Sequence, residues 1–221
     1  MAPASKPAAV LIPRSLFVFS LLYGGLCVLA GVLGTKLASL GTWPLLGPLA
    51  VESGIFAFLM LVVISSAVAE LFGRDMANRL VRFGFVPLIV SMILLVTVIH
   101  LIPPAPFWTD QEAFARLLGQ GARMQFAGLV SYGTSQTLNV AVFSRMAQAD
   151  GRLLWLRAWV ASLLSQVVDT LIFITISFAG TGLPIMEIMT GQIISKLILS
   201  TIMVPPLIYV FVALARRLDA N

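Results

Sequence analysis

The chain has 221 residues, 59% of them hydrophobic and only 10% charged, so water is not its main solvent. Fourteen Lys and Arg against nine Asp and Glu give a formal charge of +5, yet no basic run with interleaved aromatics accompanies it; this argues against a nucleic-acid partner and puts the charge beside a lipid bilayer. One cysteine, Cys27, and one histidine, His100, leave no basis for an intramolecular disulfide, a metal cluster or a Ser/His/Asp triad, and no phosphate-cradling glycine loop occurs, so neither an enzyme nor a cofactor is expected.

A bilayer core about 30 Å thick takes about 20 apolar residues per helix. Six segments qualify, which predicts an all-α, polytopic integral membrane protein: a single six-helix transmembrane domain over residues 1–221, with helices near 15–36, 47–72, 83–102, 122–144, 153–179 and 183–215. The first, third and fourth fall in uncharged stretches of 21, 27 and 21 residues, bounded by Arg14 and Lys36, Arg82 and Asp110, and Arg123 and Arg145. In the first, Gly24, Gly25, Ala30, Gly31 and Gly34 form a small-residue strip suited to close helix packing or to a homo-oligomer face. The second carries Glu52 and Glu70, the fifth Arg157 and Asp169, and the sixth Glu187 and Lys196. Pro205 and Pro206 remove two backbone donors from the sixth, which reads as a hinge or as a static bend. The longest extramembrane stretch is expected at about 103–122.

Orientation follows from Lys and Arg near the ends of the spans. Lys6, Arg14, Arg74, Arg79, Arg82, Arg145, Arg152, Arg157, Arg216 and Arg217 collect on one side, and only Lys36, Arg116 and Arg123 on the other. That asymmetry puts both termini in the cytoplasm and makes the first helix a retained span rather than a cleaved signal peptide.

An ionisable residue near the bilayer centre costs about 2.5–3.5 kcal/mol on insertion scales, so it normally faces the bundle interior. Asp169 lies close to the midplane of the fifth helix, one turn from Gln166, and Lys196 in the antiparallel sixth helix has Gln192 one turn before it. The two charges read either as a structural salt bridge or as part of a ligand site. Glu52 and Glu70, near the ends of the second helix, read as interfacial residues, with Glu70 kept as a candidate coupling or gating group. Arg123 reads as an anchor or as an entrance residue, and His100 as interfacial.

Residues 135–143 read Ser-Gln-Thr-Leu-Asn-Val-Ala-Val-Phe and residues 165–173 read Ser-Gln-Val-Val-Asp-Thr-Leu-Ile-Phe. Both fit S-Q-x-x-[N/D]-x-x-x-F, and because the two helices run in opposite directions the motif is presented twice with opposite polarity, as in carriers that frame a midplane site with inverted elements. Gln136, Asn139, Gln166 and Asp169 would offer amide and carboxyl groups to a flat polar heterocycle. The alternative is that the same groups only join helices.

In these features the chain resembles the queuosine precursor transporters, also called the vitamin uptake transporter family. The carriers of the resemblance are Lys36 with the Leu-Ala-Ser-Leu-Gly that follows, the Glu70-Leu-Phe-Gly73 end of the second helix, Arg123, the two S-Q-x-x-[N/D] copies, Arg157 and Lys196. The resemblance implies an inner-membrane importer of 7-cyano-7-deazaguanine, and of its 7-aminomethyl form, for queuosine synthesis in tRNA. It further implies that Asp169 accepts the paired N–H donors of a guanine-like edge. Gln136, Asn139 and Gln166 would then serve the carbonyl and ring nitrogens, Lys196 would balance Asp169 or donate to the carbonyl, and Glu70, Arg123 and Arg157 would couple or gate. Ser66 and Asn139 stand where similar sequences usually carry Asp, which weakens recognition of a cationic aminomethyl group or marks another substrate. The alternatives are a substrate-binding membrane subunit of a larger uptake complex and a carrier of another purine- or vitamin-like solute. The expected partners are the small-molecule 7-deazapurine and the bilayer, with a homo-oligomer as a further option.

Overall fold

A computed structural model describes residues 12–149 and 154–220, with the side chains of 136–137, 139–141, 143–144, 146–149 and 154–163 outside the described set. Among the described residues are six helices and one hairpin: α1 (Arg14–Gly34), β1 (Leu37–Trp43), β2 (Gly47–Glu52), α2 (Ile55–Phe72), α3 (Arg74–Leu101), α4 (Gln111–Ala149), α5 (Leu154–Phe178) and α6 (Ile185–Ala220). Four of them, α1, α2, α3 and α6, are long and apolar enough to cross a bilayer. The outward side of α3 shows why lipid suits it: Phe83, Val86, Val90, Ile93, Leu94 and Leu101 are exposed at helical spacing with no charged residue among them to make that stripe soluble. The architecture is that of a helical membrane protein.

The all-α expectation needs one correction. Residues 47–52, expected to open the second helix, instead form β2, which pairs antiparallel with β1 in the register Leu37 with Glu52, Ala38 with Val51 and Ser39 with Ala50. The physical reason lies in Pro44, Gly47 and Pro48. Gly47 holds φ at +74°, a conformation that side chains resist, and Pro48 has no backbone N–H to give a helix. An apolar count cannot see this, because the strand is as apolar as the helix that follows. Two helix starts also differ: α3 begins at Arg74 rather than at 83, and α4 begins earlier through a polar first third. α4 starts at Gln111, so the connection after α3 shrinks to about 102–110.

α1 lies centrally and touches α2, α3, α4 and α6, while α4 packs most extensively on α5. Phe19 and Tyr23 of α1 enter a buried cluster with Ile64, Ala67 and Val68 of α2, Ala77 and Leu80 of α3, and Ala215 of α6. Most of the small-residue strip of α1 faces inward, Gly25 excepted: Gly31 meets Gln125 and the backbone of Gly121, Gly34 meets Met124, and Gly24 meets Pro87. At one end of the bundle Asp219 closes α6 against α1, accepting from the Ser15 backbone N–H at 2.8 Å and from the Ser15 hydroxyl at 2.6 Å. A carboxylate there also complements the exposed amides of a helix N-terminus.

At the opposite end the hairpin is wedged between helices. Its residue Ala50 crosses α6 at Gly191, where any Cβ would land on the Ala50 backbone carbonyl. Val51 then packs with Ile55 and Leu59 as a second buried cluster, joined by Leu199 and Val204 of α6. The seating is testable. Gly191→Ala is expected to lower the thermal unfolding midpoint in detergent by the equivalent of about 1–3 kcal/mol, whereas Gly25→Ala, at a helical site with open space around it, should be neutral or slightly stabilising. Equal behaviour of the two variants would contradict the seating.

Candidate functional site

All six helices and the end of β2 contribute to one cavity of about 520 Å³. Its walls are mostly apolar, with aromatic faces from Phe58, Phe85, Phe173, Tyr23 and Tyr132. Among the described residues three charged side chains line it: Asp169 of α5, Lys196 of α6 and Glu52 at the end of β2.

Asp169 and Lys196 meet across the α5/α6 boundary. The ammonium lies 3.2 Å from Asp169 Oδ2, with side chains only 19% and 14% exposed. Lys196 also donates to Thr170 Oγ1 at 3.3 Å and sits 5.0 Å from the centroid of the Phe58 ring, within cation–π range. The other carboxylate oxygen, Asp169 Oδ1, accepts from Ser135 Oγ at 3.4 Å. That contact brings the two copies of the S-Q-x-x-[N/D] motif together: the serine that opens the first copy reaches the acid that ends the core of the second. Gln166 lines the cavity beside Asp169. The side chains of Gln136, Asn139 and Arg157 lie outside the described residues.

The other candidates stand elsewhere. Arg123 donates from Nε to the Ile176 carbonyl and from Nη2 to the Ala179 carbonyl, both at 2.6 Å, and so caps the C-terminal end of α5. Gln120 adds a bond to the Ser177 carbonyl at 2.8 Å. Arg123 thus joins α4 to α5 and is not among the cavity residues. Glu70 is exposed at the far end of α2, about 22 Å along the helix from Ile55, and does not line the cavity either.

Sequence reasoning placed Glu52 at the membrane interface because it counted 47–52 as helix. As the last residue of a strand driven between α1 and α6, Glu52 is instead buried, 4% exposed. Its Oε1 accepts from Gln192 Nε2 at 2.8 Å. Gln125, unlike Glu52, was not singled out from sequence at all. It is buried in α4, accepts from Ser91 Oγ at 3.0 Å, donates to the Val28 carbonyl and lines the cavity. The punctuation of Pro44, Gly47 and Pro48 is the signal that would have revealed the first; nothing in the local pattern of α4 marks the second.

Residues 52–210 match the family described as "Putative vitamin uptake transporter". The chain belongs to the vitamin uptake transporter family. Two relatives carry more specific names. The "Probable queuosine precursor transporter" of Bacillus subtilis (strain 168) is 33% identical over 113 residues, 50% of this chain and 49% of the relative. The "Queuosine precursor transporter" of Escherichia coli (strain K12) is 26% identical over 125 residues, 57% of this chain and 54% of the relative. The chain spans about half the length of the curated relatives it matches. No solved structure matches it. Family and relatives alike are named as transporters, not as enzymes.

A buried charge that loses its partner is strongly disfavoured, whereas loss of both partners is far milder. Asp169→Asn and Lys196→Gln are each expected to lower the unfolding midpoint in detergent, and the double variant to lose less than the sum, with a coupling of about 0.5–3 kcal/mol. Strict additivity would show that the two side chains do not pair.

Proposed function

We propose that this chain is a carrier of the bacterial inner membrane that imports 7-deazaguanine precursors of queuosine, the 7-cyano form foremost. The observation that carries the reading is the cavity of about 520 Å³, of a size usual for small-molecule sites, with an ion pair on its wall where the two motif copies meet. Apolar walls with aromatic faces suit a flat ring, and a few fixed polar groups orient it. The names of the two relatives favour a queuosine precursor over other planar solutes.

In this reading Gln136, Asn139, Gln166, Asp169 and Lys196 contact the substrate. Lys196 donates to the ring carbonyl or the cyano nitrogen, and Asp169 holds the ammonium in place and neutralises it while the site is empty. Asn139 in place of an acid leaves the site without a second carboxylate at that position, which favours the neutral cyano substrate over the cationic aminomethyl one. Six spans with both termini cytoplasmic fit the Lys and Arg asymmetry of ten against three, and the Ser15 to Asp219 bonds hold the start of α1 and the end of α6 on one face, as an even number of spans requires. Arg123 acts in this scheme through α5, which it anchors.

The test is made in a bacterium that neither synthesises nor imports queuosine precursors, given trace 7-cyano-7-deazaguanine or its aminomethyl analogue. The wild-type gene is expected to restore queuosine in tRNA, and Asp169→Asn to reduce uptake by about tenfold or more while the protein still inserts, the scale expected when a buried charged hydrogen-bond partner is lost. Failure with both precursors, in cells shown to contain the protein, would end this assignment.

A further inference from the structure

One polar cluster in the cavity is left unused by the scheme above. Gln192 is buried, 2% exposed, and lies on α6 one turn before Lys196, on the same face of the helix. Because its Nε2 is committed to Glu52 Oε1, its own Oε1 is turned away from that carboxylate, and this atom is buried with no hydrogen-bond partner. An orphaned acceptor of this kind is costly unless something fills it. Glu52 itself has no ion-pair partner among the described residues, in contrast to Asp169. The backbone leaves room for its carboxylate: Glu52 Oε2 occupies the space that Cβ atoms on Gly34 and Gly54 would take.

The chemistry of the cluster is one-sided. It presents the Glu52 carboxylate, which faces the backbone N–H groups of Gly54 and Ile55 as well as Gln192 and feels the charge of Lys196, and an amide oxygen with no partner, Gln192 Oε1, on one cavity wall. A hard metal ion would want about six or more oxygens, which a lone carboxylate and an amide do not supply. The matching ligand group is a planar edge with adjacent N–H donors, as in an amidine, a guanidine or a 2-amino-pyrimidinone. Asp169 is poorly placed to read such an edge, since one of its oxygens is taken by Lys196 and the other by Ser135.

We infer that Glu52 and Gln192 form the donor-reading end of the substrate site, which recognises the amidine-like N–H edge of a guanine-type base, with Lys196 at the other end. The inference rests on the 7-deazaguanine reading and moves recognition of that edge from Asp169 to Glu52. Gln192 and Lys196 are four residues apart on α6, about 6 Å along its axis, so a single bicyclic base bridges the two. The donor edge then meets acceptors, and the acceptor edge meets the ammonium. The hairpin is therefore part of the binding machinery.

The experiment compares equilibrium binding of two probes, 7-cyano-7-deazaguanine and its analogue lacking the 2-amino group, to the purified full chain in detergent. Wild type is expected to prefer the 2-amino probe by about tenfold or more, as a site built to bond a donor rejects a ligand without it. Glu52→Gln, which retains an oxygen for Gln192 Nε2, should reduce that preference to about twofold or less. If Glu52→Gln does not fold, Gln192→Met serves instead, and its preference should fall several-fold. A variant that folds, binds and keeps the full preference overturns the assignment of Glu52 and Gln192, as does a wild type that binds both probes equally; neither result touches the transporter reading. A folded wild type that binds neither probe removes the 7-deazaguanine reading and this inference with it.

Discussion

A lysine and an aspartate inside an apolar bundle tolerate that position only as a pair. Lipid offers neither of them water, and the low dielectric that makes their attraction strong makes the loss of either partner severe. Asp169 and Lys196 therefore fix how α5 and α6 face each other, and Ser135 extends the constraint to α4. Replacing a buried ion pair by well-packed apolar residues is often neutral or even stabilising. Stability alone is thus a weak reason for a chain to hold this pair beside a cavity, and the chemistry of a bound solute is a stronger one.

The same constraint governs the uncharged polar groups. Ser65, Ser131 and Thr134 each return their hydroxyl to a carbonyl three or four residues earlier in their own helix. This is the cheapest way for a hydroxyl to survive without water. It leaves little spare hydrogen-bonding capacity in the body of the bundle. Among the described residues the side-chain atoms that remain buried and unpartnered are Gln192 Oε1, on the cavity, and Ser177 Oγ, near the Arg123 cap. Polarity in this molecule is mostly closed on itself, which gives the open valence beside Glu52 its weight.

Much of the fold was legible because hydropathy reports burial in lipid directly. α1 and α5 follow the expected limits within two residues, and the meeting of Asp169 with Lys196 follows from placing both at similar depth on antiparallel neighbours. The hairpin escaped because a buried strand and a buried helix have the same composition, and only Pro44, Gly47 and Pro48 distinguish them. From that one misreading came the misplacement of Glu52, since its depth was counted along a helix that is not there. Glu70 and Arg123 were drawn into the candidate site by charge and by the family resemblance, and neither lines the cavity. Charge says that a partner is needed and not which one, and for Arg123 the partner is the set of carbonyls at the C-terminal end of α5. The apolar count likewise stopped α4 short, because its first turns are polar on sequence yet partly buried against α5 and α1.

The Arg123 cap bears on how the bundle can come apart. α4 and α5 are sewn together by Arg123 and Gln120 at one end and by Ser135 on Asp169 further along. Between α5 and α6 the ammonium of Lys196 bonds both Asp169 and Thr170. That stitch faces the cavity. A solute that engages Lys196 competes directly for that stitch, so occupancy of the site and cohesion of the α5/α6 boundary draw on the same three N–H bonds.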